Sequence, residues 1–300
     1  MAGPKGEKAP LPMRDGVTPS YLWLPEGDWQ DLIGFMVANY PAVTEVQWRE
    51  RMARGDVVDA KGTPLRPDSP YRRGLRIFYY RELEEETPIP FEEAILYQDE
   101  HIVVADKPHF LPTIPTGRFL KETLLVRLRR RLGIEDLVPI HRLDRETAGV
   151  VVLSCNANSR GAYQSLFQKR LVQKEYEALA GPLPGREFPF HYKSRMVEGD
   201  KFFTMKEAPG EPNSETTIDV IETRGEHVLY RLWPHTGRQH QLRVHLSALG
   251  IPIVNDAFYP VALPCKGDDV SQPLKLLARA IGFPDPLTDE WRWFESRRRL

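Results

Sequence analysis

Cysteine is nearly absent from this 300-residue chain, occurring only at Cys155 and Cys265. Two distant cysteines exclude a disulfide scaffold and every cysteine-based metal motif, and a reduced, cytoplasmic setting is the expectation that follows. Long apolar runs are missing too. The longest near the middle of the chain, Ala148 to Leu153, falls far short of the ~18 residues that a membrane span needs, so no transmembrane helix and no membrane partner are expected. The first twenty residues hold four prolines and three glycines but no apolar core of a leader, so no signal peptide is expected and residues 1–20 read as a floppy tail. Charge of one sign is not in excess either: 41 Lys+Arg stand against 42 Asp+Glu. With 41% hydrophobic and 28% charged residues, the composition excludes wholesale disorder and a collagen-like chain. The length suits about two domains, and no internal repeat or low-complexity segment is visible.

What is present is a charge pattern hidden by the near-zero sum. Residues 81–100 carry eight acids and one base, whereas residues 117–131 carry six bases and one acid. The acidic stretch contains Pro88 and Pro90, and residues 86–94 read as a solvated linker. The basic stretch fits either a solvated helix face or the footprint of a phosphate backbone.

Residues 21–85 read as a small α+β domain. Asp28 is placed to cap a helix with Leu32, Phe35 and Met36 on its apolar side, and Thr44 to start a second helix that Gly55 stops. Val57-Val58 and Leu75 to Tyr80 are short strand candidates around the turn-rich Lys61-Gly62-Thr63-Pro64. Two helices and a hairpin in this order resemble an S4-type RNA-binding module. Beyond the linker, residues 95–300 alternate strands and helices without regular βαβ repeats. This predicts an α+β fold with a mixed, largely antiparallel β-sheet flanked by helices. Helical spacing covers Leu120 to Leu132, Asn158 to Lys169 and Arg238 to Leu249. Strand patterns cover residues 95–97, 102–104, 148–153, 174–180, 217–221 and 228–233.

The most informative segment is His141-Arg142-Leu143-Asp144-Arg145-Glu146-Thr147-Ala148-Gly149. A polar turn leads straight into a valine-rich strand, and its carboxylate has an arginine on either side. Neighbouring positive charge stabilises a carboxylate anion, and a carboxylate can act as a covalent nucleophile. A surface turn with charge pairs would look the same. Three more segments accompany it: Asp106-Lys107-Pro108, Lys174-Glu175-Tyr176-Glu177-Ala178, and the run from His235-Thr236-Gly237-Arg238 to Gln241-Leu242-Arg243-Val244-His245. In this order and at these separations, the four resemble the motifs of RluA-type pseudouridine synthases over about two thirds of the chain.

The resemblance implies a pseudouridine synthase fold and an isomerase of RNA uridine, acting on ribosomal or transfer RNA, with no redox cofactor and no metal. It implies a monomer. Asp144 matches the essential nucleophile or base of that family, Tyr176 the active-site tyrosine that stacks on the base and takes the C5 proton, and Arg243 the arginine paired with the aspartate. His141, Arg142, Arg145, Lys174 and Arg238 are the matching RNA-contact candidates, and Leu276 the candidate for the apolar wall under the uracil. On a helical wheel Arg243 lies on the shoulder of the stripe formed by Leu242, Leu246 and Leu249, where its stem can be buried and its guanidinium can reach a cleft. The five-residue spacing of His235, His240 and His245 fits no zinc motif. The chain departs from the family at His109-Phe110, where a small residue and glycine usually follow the Lys-Pro pair, and at Leu276-Leu277-Ala278, which lacks a usual histidine. Two rivals stand beside this reading: an inactive RNA-binding protein on the same fold, and a hydrolase. The hydrolase would need a second carboxylate positioned as acid or base, and Glu146 stands two residues from Asp144.

Overall fold

The structure, a computed structural model, describes residues 9–83, 85–201, 203–263 and 269–300. Cys265, Glu84 of the acidic stretch and the first eight residues of the expected tail lie outside the described residues. The chain divides into two units, residues 1–86 and 87–300.

The first unit contains β1 (Ser20–Trp23), α1 (Leu32–Asn39), α2 (Glu45–Ala53), β2 (Val57–Asp59) and β3 (Arg76–Tyr79). Asp31, not Asp28, caps α1: its backbone is extended and its carboxylate accepts from the Gly34 amide at 2.9 Å. Thr44 and Gln47 close a reciprocal capping box on α2. The sheet has three strands, β1-β3-β2, where two helices and a hairpin were expected. β1 is the unforeseen member, and it lies partly in the expected tail. Residues 12–20 are tied down: the Tyr80 hydroxyl donates to the Pro12 carbonyl, and Arg14 covers the Tyr80 ring and pairs with the buried Asp56 at 2.7 Å. Leu32, Phe35, Met36, Trp48 and Ile77 form the core of this unit.

The second unit runs β4 (Ala94–Gln98), β5 (Ile102–Lys107), α3 (Leu124–Leu132), β6 (Val138–Pro139), β7 (Ala148–Ser154), α4 (Arg160–Gln168), β8 (Gln173–Ala180), β9 (Phe190–Glu198), β10 (Met205–Ala208), β11 (Ser214–Arg224), β12 (His227–Pro234), α5 (Gln241–Ala248), β13 (Leu276–Pro284) and β14 (Trp291–Glu295). Its strands form one sheet in the order β10-β9-β11-β12-β8-β13-β7-β5-β4, with β14 beside β13 and β6 beside β7. Every named pairing is antiparallel except β13 with β7, so the sheet is mixed and largely antiparallel. β5 and β7 are buried along their whole length because α3 covers one face and α4 the other. α5 lays Leu242 and Leu246 on β8, β11 and β12, forming the core of the other half. Each such leucine contributes roughly 2 kcal/mol by leaving water.

The acidic linker is solvated only in part: Thr87, Pro88, Pro90 and Glu92 are exposed, but two of its residues turn inward. Ile89 is buried, its amide donates to Glu122 at 2.8 Å, Arg127 donates to the carbonyls of Ile89 and Phe91, and Glu93 is buried beside Arg127 and Arg131. The acidic and basic runs therefore meet at α3 through Glu93, Arg127 and Arg131. Arg129 is likewise turned inward, onto the Leu137 carbonyl.

Candidate active site

A cleft of about 570 Å³ opens where β7, β8 and β13 meet the start of α5. It receives every residue singled out from the sequence: Asp144, Tyr176, Arg243, His141, Arg142, Arg145, Lys174, Arg238 and Leu276. No residue of α3 lines it.

Asp144 sits in the turn that enters β7, with 35% of its side chain exposed. Its cationic neighbour is not an adjacent arginine. Arg243 Nη1 lies 3.5 Å from its Oδ2; His240 Nε2 lies 3.6 Å away, and burial pushes that imidazole's pKa down. Arg243 is only 1% exposed. Its Nε and Nη2 donate to Asp256 at 2.8 and 2.6 Å, and its guanidinium carbon lies over the rings of Phe258 and Tyr259. Two of its donors are thus locked, and the remaining nitrogen is aimed at the cleft. The Asp256 carboxylate also accepts from the amides of Phe258 and Tyr259. Burial pushes the Arg243 pKa down while the contacts with Asp256 and Asp144 more than restore it, so the cation persists.

Tyr176 lies on β8 between β12 and β13, opposite Leu232 and Ala278. It packs against both halves of the core, half-buried, with Lys174 on the same side of the strand. Burial, and then the Asp144 charge, push its phenol pKa up, so the ring enters the cleft as a neutral donor. Removal of a proton by this hydroxyl would first have to ionise it against both effects. Leu276, paired with Ala178, supplies buried apolar wall.

The remaining candidates divide by what holds them. Arg142 and Arg238 are exposed at the cleft. Arg145 is engaged by the fold: its Nε donates to the Phe110 carbonyl, Nη1 meets Glu146 at 3.1 Å, and the guanidinium lies over Phe110 and Phe119. It braces the loop and is not free for phosphate. His141 stacks on Phe167, and its Nε2 accepts from the Val152 amide, anchoring the loop to β7. Burial pushes its pKa down to about 3, which keeps that acceptor neutral. Lys174 donates to the Thr236 carbonyl, and burial lowers its pKa to about 8.

Asp256 belongs to the site but was not named from the sequence, and His240 and Lys107, named only within motifs and given no site role, belong to it too. Lys107 is fully buried and donates to the carbonyls of Pro108, Leu111 and Arg145, drawing the two loops beneath Asp144 together. Burial lowers its pKa to about 7. Asp106 next to it holds the C-terminal segment through Ser296 and the Arg297 amide. Asp256 follows Asn255, whose φ of +64° marks a turn. A buried carboxylate on a turn after a helix has no periodicity by which the sequence would reveal it. The three motif histidines go to three places: His235 is exposed, His240 is in the cleft, and His245 is buried against Ser194, Ser214 and Thr216.

Comparison with known proteins bears on the same region. The family model described as RNA pseudouridylate synthase matches residues 101–248, which include Asp144, Tyr176 and Arg243. An uncharacterised RNA pseudouridine synthase of Synechocystis is 27% identical over 232 residues, spanning 76% of this chain and 79% of that protein. The mitochondrial tRNA pseudouridine(32) synthase of Saccharomyces cerevisiae is 32% identical over 55% of this chain and 36% of its own length. The solved structure of human RNA pseudouridylate synthase domain containing 1 superposes with a TM-score of 0.56 at 26% identity, covering 69% of this chain and 84% of that one. The matched motifs and the matched sheet coincide on one cleft, and the chain belongs to the RluA-type RNA pseudouridine synthase family.

Proposed function

We propose that the chain isomerises uridine to pseudouridine within RNA, with Asp144 acting directly on the nucleotide. The observation that supports this most strongly is a partly exposed carboxylate in a nucleotide-sized cleft, facing an arginine that Asp256 holds rigidly. In the reaction the N1–C1′ bond breaks, a C5–C1′ bond forms, a proton leaves C5 and one is gained at N1. Asp144 serves as nucleophile or base while Arg243 and His240 hold its charge in place. The target base must leave its stack, at a cost of a few kcal/mol. The neutral Tyr176 ring and Leu276 replace the lost stacking. Arg142 and Arg238, exposed at the rim, hold phosphates and make binding salt-sensitive.

Hydrolysis fits the site poorly. Glu146 does not line the cleft, and Asp256 is committed to Arg243 with 1% of its side chain exposed. We infer a locally unpaired uridine in structured RNA as substrate. Transfer RNA is the first pool to test, since two yeast relatives are named for tRNA positions 32 and 31. The experiment measures tritium release from RNA labelled at uridine C5, in separate transfer and ribosomal RNA pools. Asp144→Asn is expected to lower release at least about a thousandfold while RNA binding is retained. Free uracil among the products would establish hydrolysis instead, and equal release by Asp144→Asn would remove Asp144 from the chemistry.

A further inference from the structure

Away from the reacting carboxylate, two strands and the turn after a third bring two imidazoles and a carboxylate together. His191 on β9 lies opposite Thr217 of β11 in the antiparallel register. Glu215 stands two residues before Thr217, hence on the same face. His235 follows the end of β12, and its amide donates to the Glu215 carbonyl. His191 Nδ1 is 3.3 Å from Glu215 Oε1, and the Thr217 hydroxyl bridges His191 Nδ1 at 3.2 Å and His235 Nε2 at 2.7 Å. One ligand atom from each of His191, Glu215 and His235 lies within 4.8 Å of the other two. The two imidazoles are stacked at 21°. Lys193 approaches the second carboxylate oxygen at 3.5 Å and leaves Oε1 free of it.

We propose that His191, Glu215 and His235 form a binding site for a divalent transition metal of the zinc class. Two imidazoles and one carboxylate are the ligand chemistry such ions select. Tetrahedral coordination at ~2.0–2.1 Å places ligand atoms roughly 3.3 Å apart. The His191–Glu215 distance already meets this, and the His235 ring closes the remainder by rotation, since it is exposed. A fourth position stays open to water or to a substrate oxygen. The ion would clamp the turn between β12 and α5. Glu215 is tied to that turn by its amide bond to Thr236 and its carbonyl bond from Gln241, and the turn carries Arg238 and His240 into the cleft. The site therefore orders a wall of the cleft without touching the reacting atoms. Spacing along the chain does not reveal it, because the ligands come from β9, β11 and the turn after β12.

The test uses the full chain without a purification tag, titrated with Zn2+ alone against a chromophoric chelator. One ion per chain is expected. His191→Ala and His235→Ala should each weaken binding at least about tenfold, and the double variant should lose it. Zn2+ should raise the Tm of the unaltered chain and leave that of the double variant unmoved. Both histidines are exposed, so the variants keep the fold, which their Tm without zinc checks. Equal zinc affinity in the unaltered chain and the double variant would overturn the proposal, as would no binding at about 100 µM Zn2+.

Discussion

Arg243 and Asp256 illustrate how single residues make this cleft. Breaking a buried ion pair from one side costs about 3–5 kcal/mol, because the partner is left charged and unsatisfied. Asp256→Asn is therefore expected to lower stability and, by loosening the guanidinium that faces Asp144, to lower kcat about a hundredfold with KM little changed. Steady-state kinetics on the folded fraction check this. Arg243 was legible in the sequence through its motif and its place on the helix shoulder, whereas Asp256 was not, since a buried counter-charge on a turn has no pattern. A second residue carries a visible departure from the family. Phe110 stands where the resemblance read from the sequence leads one to expect a glycine, and its φ is +67°. A left-handed backbone costs a side-chain-bearing residue about 1–2 kcal/mol. The ring repays this by burial: it is 1% exposed, stacked on Phe91 and covered by Arg145. Phe110→Ala should lose the packing and keep the strain. Phe110→Gly should lose the packing but release the strain, and so be the less destabilised by about 1 kcal/mol in urea unfolding.

Among the elements, the junction of β7 and β13 has the least tolerance. The two strands run parallel for only two pairs, Leu277 with Ala148 and Ala278 with Gly149. Gly149 has a φ of +116°, and a Cβ there would lie 2.1 Å from the Ala278 carbonyl oxygen. Gly149→Ala is expected to cost about 3 kcal/mol or more and to shift the adjoining Asp144 loop, which chemical denaturation and turnover would both register. The strands buried on both faces and the amphipathic helices were readable from their patterns. β9, β10 and β14 were not: their residues alternate partial burial with exposure, and their sequences hold mixed charge and aromatic residues with little apolar periodicity. The basic helix was ambiguous for a related reason. A run of arginines looks alike whether it meets phosphate or, as around α3, the carboxylates and carbonyls of its own chain.

For the molecule as a whole, buried neutral histidines set the response to acid. Burial pushes His141 down to about 3, and His109 and His245 to about 4. Each takes up its proton near pH 6.5 when the chain unfolds but resists it when folded. Their share of stability is full above about pH 6.5 and is lost as the pH falls through that value towards their folded ones. The Tm should therefore drop between pH 7 and pH 4, and His245→Gln should flatten the slope, as calorimetry across that range would show. The described residues include no helix long and apolar enough to cross a membrane. The order of strands bears on how such a chain is made. β13, next to last along the sequence, fills the slot between β8 and β7. A nascent chain that has not yet released β13 holds two unfinished half-sheets, each with an open inner edge and neither with a complete reaction centre. Those edges are templates for mispairing until residue 284 emerges, so the lag between synthesis and activity is also the interval in which a chaperone matters most.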